Sequence, residues 1–459
     1  MEKYDVIIIG AGQAGNPLSK AFAQAKKRTA LIEEKYVGGT CINYGCTPTK
    51  TMIASAEMAY QARRSNLYGV SVQELRVDIE KVLERKEAIV TSFRDGGEKR
   101  IVDTGVNLIY GKATFIGNKI LQVIPSDGTA RELTADTIII NAGGKTYIPN
   151  IPGLIDIPFL DSTSIMELKE IPEHLVIIGG GYIALEFGQM FRRFGSQVTI
   201  LQYSSQLLGR EDEDVADAMR VILEEDGIKI LLNASTTNVA KMGNNQINLQ
   251  VNTPEGKIEV IGSHLMVAAG RVPNTNELGL AKQGIQLDPR GYIVVNDRLE
   301  TNVAGIYAAG DIKGGPAFTH ISYDDFRILK ANLLEKGSLS TKGRMVPYVL
   351  FTDPQLGRIG LSENEAREMG LNYQVAKMPM NYVARAIETE RSRGYIKAVV
   401  DSESKQILGA AVLGVEGGEI MSMLQIAMMG GLPFTALREA IFAHPTLAEG
   451  LNTLFFSLD

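Results

Sequence analysis

The sequence predicts an α/β chain built from two dinucleotide-binding βαβ units and an α+β C-terminal region. Three observations carry this. Gly10-Ala11-Gly12-Gln13-Ala14-Gly15 lies between a β-branched run and an apolar helical stretch. About 170 residues later, Gly179-Gly180-Gly181-Tyr182-Ile183-Ala184 repeats the arrangement in the same setting. The last ~115 residues alternate strand runs with amphipathic helices and hold no such turn. A G-x-G-x-x-G or G-x-G-x-x-A turn after a strand and before a helix is the Rossmann-like fingerprint. Its glycines permit the tight turn and let a pyrophosphate approach the helix N-terminus.

Taken in order, Val6-Ile7-Ile8-Ile9 is the first strand, Leu18 to Ala25 a short helix, and Thr29 to Ile32 a second strand ending in Glu33. Glu33 follows Gly15 at the distance where an acid binds a ribose hydroxyl. Val77 to Asp103 reads as a long charged helix. Asn107 to Leu133 alternates in strand fashion, with Gly and Asp at its turns. Ile138 to Ile140 is a buried strand running into Asn141-Ala142-Gly143-Gly144, and Pro149, Pro152 and Gly153 mark a boundary. Leu175 to Ile178, a helix through Phe194, and Gln197 to Leu201 form the second βαβ unit. Apolar runs end in glycine again at Leu265 to Gly270 and at Gly305 to Asp311. Lys330 to Arg344 reads as a polar linker, and Ile396 to Val400 and Ile407 to Leu413 as strands. The expected division is 1–148, 149–266, 267–340 and 341–459.

The 459 residues carry a formal net charge of −6, with 45% hydrophobic and 22% charged residues. That mix excludes a disordered or collagen-like chain, and no basic domain points to nucleic acid. No apolar run approaches the ~18 residues of a membrane span. The strand pattern begins at Tyr4, which predicts no signal or transit peptide. A cytoplasmic protein with no nucleic-acid and no membrane partner is expected.

The two cysteines, Cys41 and Cys46, have four residues between them. A disulfide-stapled scaffold would need more, and structural zinc needs about four clustered N/S ligands. The four histidines (His174, His264, His320 and His444) leave little material for a metal site. Cysteines this close can close a small, easily reopened ring if they share a helical turn, which suits a cycling dithiol. His444 precedes a proline and has Glu449 five residues on. A carboxylate there can fix its tautomer and raise its basicity.

Together, the first fingerprint, Gly38-Gly39-Thr40-Cys41-x4-Cys46-x-Pro48-x-Lys50, the Gly179 fingerprint, Ala309-Gly310-Asp311 and His444-Pro445-Thr446-x-x-Glu449 resemble the pyridine nucleotide-disulfide oxidoreductases. That family includes glutathione reductase, dihydrolipoamide dehydrogenase and mercuric reductase, and the resemblance covers essentially the whole chain. It implies an FAD-binding domain (1–148 and 267–340), an NAD(P)-binding domain (149–266) and a C-terminal dimerisation domain (341–459). One non-covalent FAD per subunit would lie on Gly10, Gly12, Gly15, Glu33, Gly39, Thr40, Gly143 and Asp311. NADPH or NADH would lie on Gly179, Gly181, Tyr182, Gln202 and Gly270. Cys46 would be the flavin-side thiol and Cys41 the interchange thiol that meets the substrate. Lys50 would pair with Glu186 beside the flavin and nicotinamide, where a fixed cation stabilises charge on the reduced flavin. His444 with Glu449 would serve Cys41 of the other subunit, which implies an obligate homodimer.

The expected activity is FAD-dependent electron transfer from NAD(P)H through the Cys41–Cys46 disulfide to a small disulfide or a soft metal ion, within cell redox homeostasis. A thiolate is both nucleophile and soft ligand. Phe318 to Asp325 and Arg385 to Arg391 depart from glutathione reductase and look more like the mercuric-reductase-like branch, which includes the reactive-chlorine-resistance copper(II) reductase. Authentic mercuric reductases also carry a C-terminal cysteine pair. Both cysteines here lie in the redox loop, so efficient handling of mercuric ion is not expected. Dihydrolipoamide dehydrogenase is the alternative within the family. A thiol-independent NAD(P)H:quinone or oxygen reductase and a non-catalytic flavin-binding protein are the alternatives outside it. Gln202 stands where an NAD enzyme often has an acid, so a 2′-phosphate meets no repulsion there. This tilts the expectation slightly to NADPH.

Overall fold

The computed structural model describes residues 1–125 and 128–458. The chain forms two compact units. One comprises Met1–Thr51, Glu80–Tyr147 and Gly270–Arg344; the other comprises Met52–Ile79, Ile148–Ala269 and Met345–Asp459.

The first unit is organised by a seven-stranded sheet. Asn107–Tyr110, Thr29–Glu33, Glu2–Ile9 and Arg131–Ile140 run parallel in that spatial order. Arg131–Ile140 is long enough to serve two further partners besides Glu2–Ile9. Its first half pairs antiparallel with Ile120–Ile124, which in turn pairs with Lys112–Gly117, and its last three residues pair parallel with Ile306–Ala308. Strands buried on both faces read as continuous β-branched runs: Ile7, Ile8, Ile138, Ile139 and Ile140 have no exposed surface. The carboxyl ends of Glu2–Ile9, Arg131–Ile140 and Ile306–Ala308 therefore converge, and the glycine turns follow directly from them. Ligands of open α/β sheets bind at such ends.

The first strand and helix extend further than the apolar pattern alone indicates, to Glu2–Ile9 and Gly15–Gln24. The charged helix is Ile79–Val102. The alternating stretch resolves into three short strands and the start of Arg131–Ile140, and the Asp127 placed at one of its turns lies outside the described residues. Residues 330–344 are not all linker, because the helix Thr319–Leu334 includes Lys330 to Leu334. Ile328 and Leu329 are buried, and Leu333 and Leu334 pack against the same core. That apolar face outweighs the polar composition around it.

The second unit repeats the parallel arrangement with Lys229–Leu231, Gln197–Leu201, His174–Ile178 and His264–Val267. It adds a three-stranded antiparallel sheet (Ser235–Lys241, Ile247–Thr253, Gly256–Gly262). Its C-terminal part is a five-stranded antiparallel sheet of Tyr348–Leu350, Gln355–Gly360, Ile407–Gly414, Tyr395–Asp401 and Tyr373–Pro379. The helix Gly417–Met429 lies on it so closely that a Cβ on Gly357 would meet Gly417 O at 2.4 Å. Among the described residues no helix is long and apolar enough to cross a membrane.

Candidate functional site

In the first unit the glycine turn is locked by its neighbours. Gly10 has φ +99°, and a Cβ there would lie 2.3 Å from Asn141 O; a Cβ on Gly15 would lie 2.0 Å from Gly10 O. Only glycine fits such close backbone approach. Glu33 accepts from Ala11 N at 2.8 Å and from Lys35 N at 2.9 Å, so the acid at the strand end braces the turn. A cavity of about 740 Å³ opens next to it, lined in part by Glu34, Lys35, Tyr36, Arg94, Tyr110 and Lys112.

The redox loop is stitched to this turn. Gly38 N donates to Ala11 O at 2.9 Å, Gln13 Nε2 donates to Gly38 O at 3.0 Å, and a Cβ on Gly39 would meet Gly12 Cα at 2.8 Å. Thr40 and Cys41 belong to the short helix Gly39–Asn43, and Cys46 is the first residue of the helix Cys46–Arg63. The cysteines thus do not share one helical turn. They face each other across a break, which Gly45 makes possible: a Cβ there would lie 2.9 Å from Thr40 O and 3.3 Å from Cys41 Cα.

The Cys41 thiol is pushed well above the ordinary cysteine range by its hydrogen bond to Cys46 and by burial, with Thr319 and the Lys50 charge acting against these. Thr319 Oγ1 lies 3.3 Å from Cys46 Sγ. The start of an 18-residue helix favours negative charge on the Cys46 sulfur. Lys50, one turn along the same helix, puts a cation on the same side.

Gly143 has φ +66° and open space where a Cβ would stand, and so does Gly270 at φ +128°. Burial raises the Asp311 carboxyl above its usual range, although Arg271 and Lys313 pull it down. Among the described residues none donates a hydrogen bond to that carboxylate. A half-buried acid with unspent acceptor capacity beside open glycine turns suits a polyhydroxyl and pyrophosphate cofactor such as FAD.

The second unit holds the remaining expected residues. Gly179 has φ +115°, and a Cβ there would meet Ala268 O at 2.4 Å, whereas Gly181 has nothing within 4 Å and leaves room for a phosphate. Tyr182 opens the helix Tyr182–Phe194 and is 41% exposed. Glu186, one turn further, is buried and accepts from Phe351 N at 2.9 Å. The Gln202 side chain folds back against Gly180. Its amide donates to Ser204 Oγ at 2.6 Å and Gln206 O at 3.0 Å, and Ser204 Oγ also donates to Gln206 O. These donors are spent within the loop. His444 Nδ1 lies 3.0 and 3.1 Å from the two Glu449 carboxylate oxygens, and the imidazole is exposed. Lys50 belongs to the first unit and Glu186 to the second.

Two residues escaped the motif reading. Thr319 meets the redox thiols across 273 residues of chain, and its local sequence gives no signal of that. Asn141 accepts from Gly15 N at 3.0 Å and donates to Ala309 O at 2.8 Å, tying two glycine turns together. A polar residue ending the apolar run Ile138 to Ile140 was its only mark.

Twin dinucleotide turns, one fused to a dithiol, define a flavin- and nicotinamide-dependent dithiol oxidoreductase. Residues 4–325 match the family described as pyridine nucleotide-disulphide oxidoreductase, and residues 346–455 match its dimerisation domain. The chain belongs to that family, whose cofactors are FAD and NAD(P)H. It is 40% identical over 460 residues to the probable pyridine nucleotide-disulfide oxidoreductase RclA of Escherichia coli (strain K12), covering 99% of both chains. It is 33% identical to a mercuric reductase of Bacillus cereus, covering 99% of this chain and 72% of that one. Among solved structures, the Cu(II) complex of the HOCl-induced flavoprotein disulfide reductase RclA from Escherichia coli superposes with a TM-score of 0.91 at 39% identity, over all of both chains.

Proposed function

We propose that the chain is a cytoplasmic homodimeric reductase that draws electrons from NAD(P)H and delivers them through Cys41 and Cys46 to a soft metal ion, copper(II) first, or to a small disulfide. The Cys41–Cys46 pair at the head of the Cys46–Arg63 helix, fused to the first dinucleotide turn, carries this reading. The full-length similarity to a protein solved with Cu(II) supports the choice of metal. Residues 1–148 and 267–340 form the FAD part, 149–266 the NAD(P) part and 341–459 the dimerisation part in this proposal.

FAD, when bound, would supply two-electron transfer between NAD(P)H and a disulfide. Gly10, Gly12, Gly15, Glu33, Gly39, Thr40, Gly143 and Asp311 hold it, and Gly179, Gly181, Tyr182, Gln202 and Gly270 hold the nicotinamide nucleotide. Lys50 supplies a fixed cation on the flavin side, and Glu186 a carboxylate on the nicotinamide-nucleotide side. The reduced pair then reacts in one of two ways. With two copper(II) ions, Cys41 and Cys46 give up one electron to each, lose their two protons and close the disulfide, leaving two copper(I). With a small disulfide, the Cys41 thiolate attacks one sulfur and expels the other. Cys46 then attacks Cys41, releasing the second thiol and re-forming the Cys41–Cys46 bond. With Nδ1 turned to Glu449, His444 keeps Nε2 for proton exchange, and it serves the interchange thiol of a second copy.

The test is NAD(P)H oxidation by purified protein with copper(II) and with lipoamide, side by side, in wild type and Cys46→Ser. Faster turnover with copper(II), lost in the variant, supports metal reduction. Faster turnover with lipoamide assigns a dihydrolipoamide dehydrogenase instead. Disulfide or copper(II) reduction that survives Cys46→Ser removes the dithiol from the mechanism.

A further inference from the structure

The helix Thr319–Leu334 buries an acid that the thiol chemistry does not use. Asp325 has no exposed surface. Its Oδ2 accepts from Gly310 N at 2.8 Å and lies 3.3 Å from Lys313 Nζ, and its Oδ1 lies 2.7 Å from Arg344 Nη1. A carboxylate buried to this degree needs such partners. An apolar residue of similar volume would serve packing as well or better, so packing alone does not account for it. What the carboxylate does, and an apolar side chain cannot, is hold the Gly310 amide.

That amide sits at a crowded point. Gly310 has φ +73°, and a Cβ there would meet Asn141 Nδ2 at 2.7 Å and Ser322 Oγ at 3.0 Å. The preceding carbonyl, Ala309 O, accepts from Asn141 Nδ2, and Asn141 Oδ1 accepts from Gly15 N. The link between strand Ile306–Ala308 and the short helical turn Gly310–Lys313 is therefore gripped at consecutive groups. Asn141 takes the carbonyl and Asp325 takes the amide. Asp311 follows immediately, and Lys313, on the same turn, is held by the same carboxylate. Arg344 and Lys313 fix the Asp325 carboxylate in place.

We propose that Asp325 is a positioning residue for FAD binding, acting through the Gly310 amide to aim Asp311 at the cofactor. This rests on the reading above that the Gly310–Lys313 turn faces FAD. The hydrogen bond, rather than the charge, is the working contact. An asparagine can accept from Gly310 N and so replaces it; alanine cannot.

The experiment follows the rate of FAD loss from diluted holoenzyme by flavin fluorescence, with visible circular dichroism of the bound flavin and far-UV melting alongside. Asp325→Ala is expected to lose FAD at least tenfold faster than wild type and to alter the flavin dichroism. Asp325→Asn is expected to stay within threefold, even though both variants melt earlier. The double variant Asp325→Leu/Lys313→Met removes the acid together with a cation it would strand. It is expected to lose FAD as fast as Asp325→Ala while melting nearer to wild type. Asp311→Asn reads the underlying assignment and is expected to speed FAD loss as well. If Asp311→Asn has this effect and neither Asp325→Ala nor the double variant does, the positioning role is overturned while the cofactor reading stands. Parallel losses in Asp325→Ala and Asp325→Asn would mean that charge neutralisation was the whole contribution, which also overturns it. An unchanged Asp311→Asn holoenzyme removes the cofactor reading and the proposal with it.

Discussion

Cys41 and Cys46 divide the work of a dithiol unequally, and their surroundings say how. Cys41 is held protonated, first by its hydrogen bond to Cys46 and then by burial, while Thr319 and Lys50 favour its thiolate. A raised thiol carries less thiolate at any given pH and so reacts more slowly. In the reduced enzyme, carbamidomethylation at Cys41, read by peptide mass spectrometry, should therefore climb about tenfold per pH unit from pH 7 to 9 with no plateau. Replacing Cys46 by serine removes the largest cause, lowers the Cys41 pKa and should speed its alkylation several-fold at pH 8. Thr319→Val removes a contact that lowers it and should slow the reaction. A Cys41 rate that moves the same way in both variants would contradict this account of the pair.

The break between Gly39–Asn43 and Cys46–Arg63 brings the sulfurs together, and Gly45 permits the break. A methyl group at Gly45 would press on Thr40 O and the Cys41 backbone. Gly45→Ala should cost about 1–3 kcal/mol through overpacking and slow disulfide closure about tenfold, measured as thiol titre against time after oxidation. A stable variant that closes at the wild-type rate would show that the loop yields at no cost. The end of strand Gln197–Leu201 makes a second case. Gln202 has turned its donors inward to Ser204 and Gln206, so it offers none to a 2′-phosphate. The slight tilt to NADPH read from the missing acid is thus offset by the geometry. Gln202→Glu should favour NADH over NADPH by a further tenfold or more in kcat/KM, the equivalent of about 1.4 kcal/mol. An unchanged ratio would place discrimination elsewhere. These elements also mark what the sequence made legible. Both glycine turns, the redox loop and His444 with Glu449 were readable because each carries its signature residues within a short stretch of chain. Thr319, Asn141 and Asp325 were not, because their partners lie on other strands and turns, and no local pattern encodes a contact across that distance. The helical part of 330–344 was hidden for a related reason. Its apolar face is interrupted by enough polar residues that only the core it meets gives it away.

At the scale of the whole molecule, two features govern stability and assembly. Burial alone would raise the Asp353 carboxyl, but Arg193 and Arg391 overcome it and hold the group below the usual aspartate range. A folded pKa below the unfolded value contributes stability that is present above about pH 4 and lost as pH falls through the folded value. Melting temperature should stay level from pH 7 to 5 and drop below about pH 4. Asp353→Asn should flatten that acid limb and cost about 3 kcal/mol at neutral pH by stranding buried guanidinium charge; an unaltered limb would locate the acid sensitivity in other carboxylates. Assembly is argued from the C-terminal part, where the chain matches the family's dimerisation domain. The helix Gly417–Met429 buries Ile420, Met421 and Leu424 against its sheet yet leaves Ile426 and Met429 each 69% exposed, with Met423 beside them at the three-residue spacing of one helix face. Ile441 is fully exposed as well. Apolar side chains grouped on one face of a folded chain mark a protein-binding surface, and the occupant proposed for this one is a second copy. Ile426→Glu/Met429→Glu places two charges on that face and should convert the dimer to a monomer in light scattering. Because His444 serves the thiol of the other copy in this proposal, the monomer should keep its FAD yet lose at least tenfold in disulfide reduction. A variant that remains dimeric would move the interface off this helix, and a monomer with full activity would show that each chain completes its own active site.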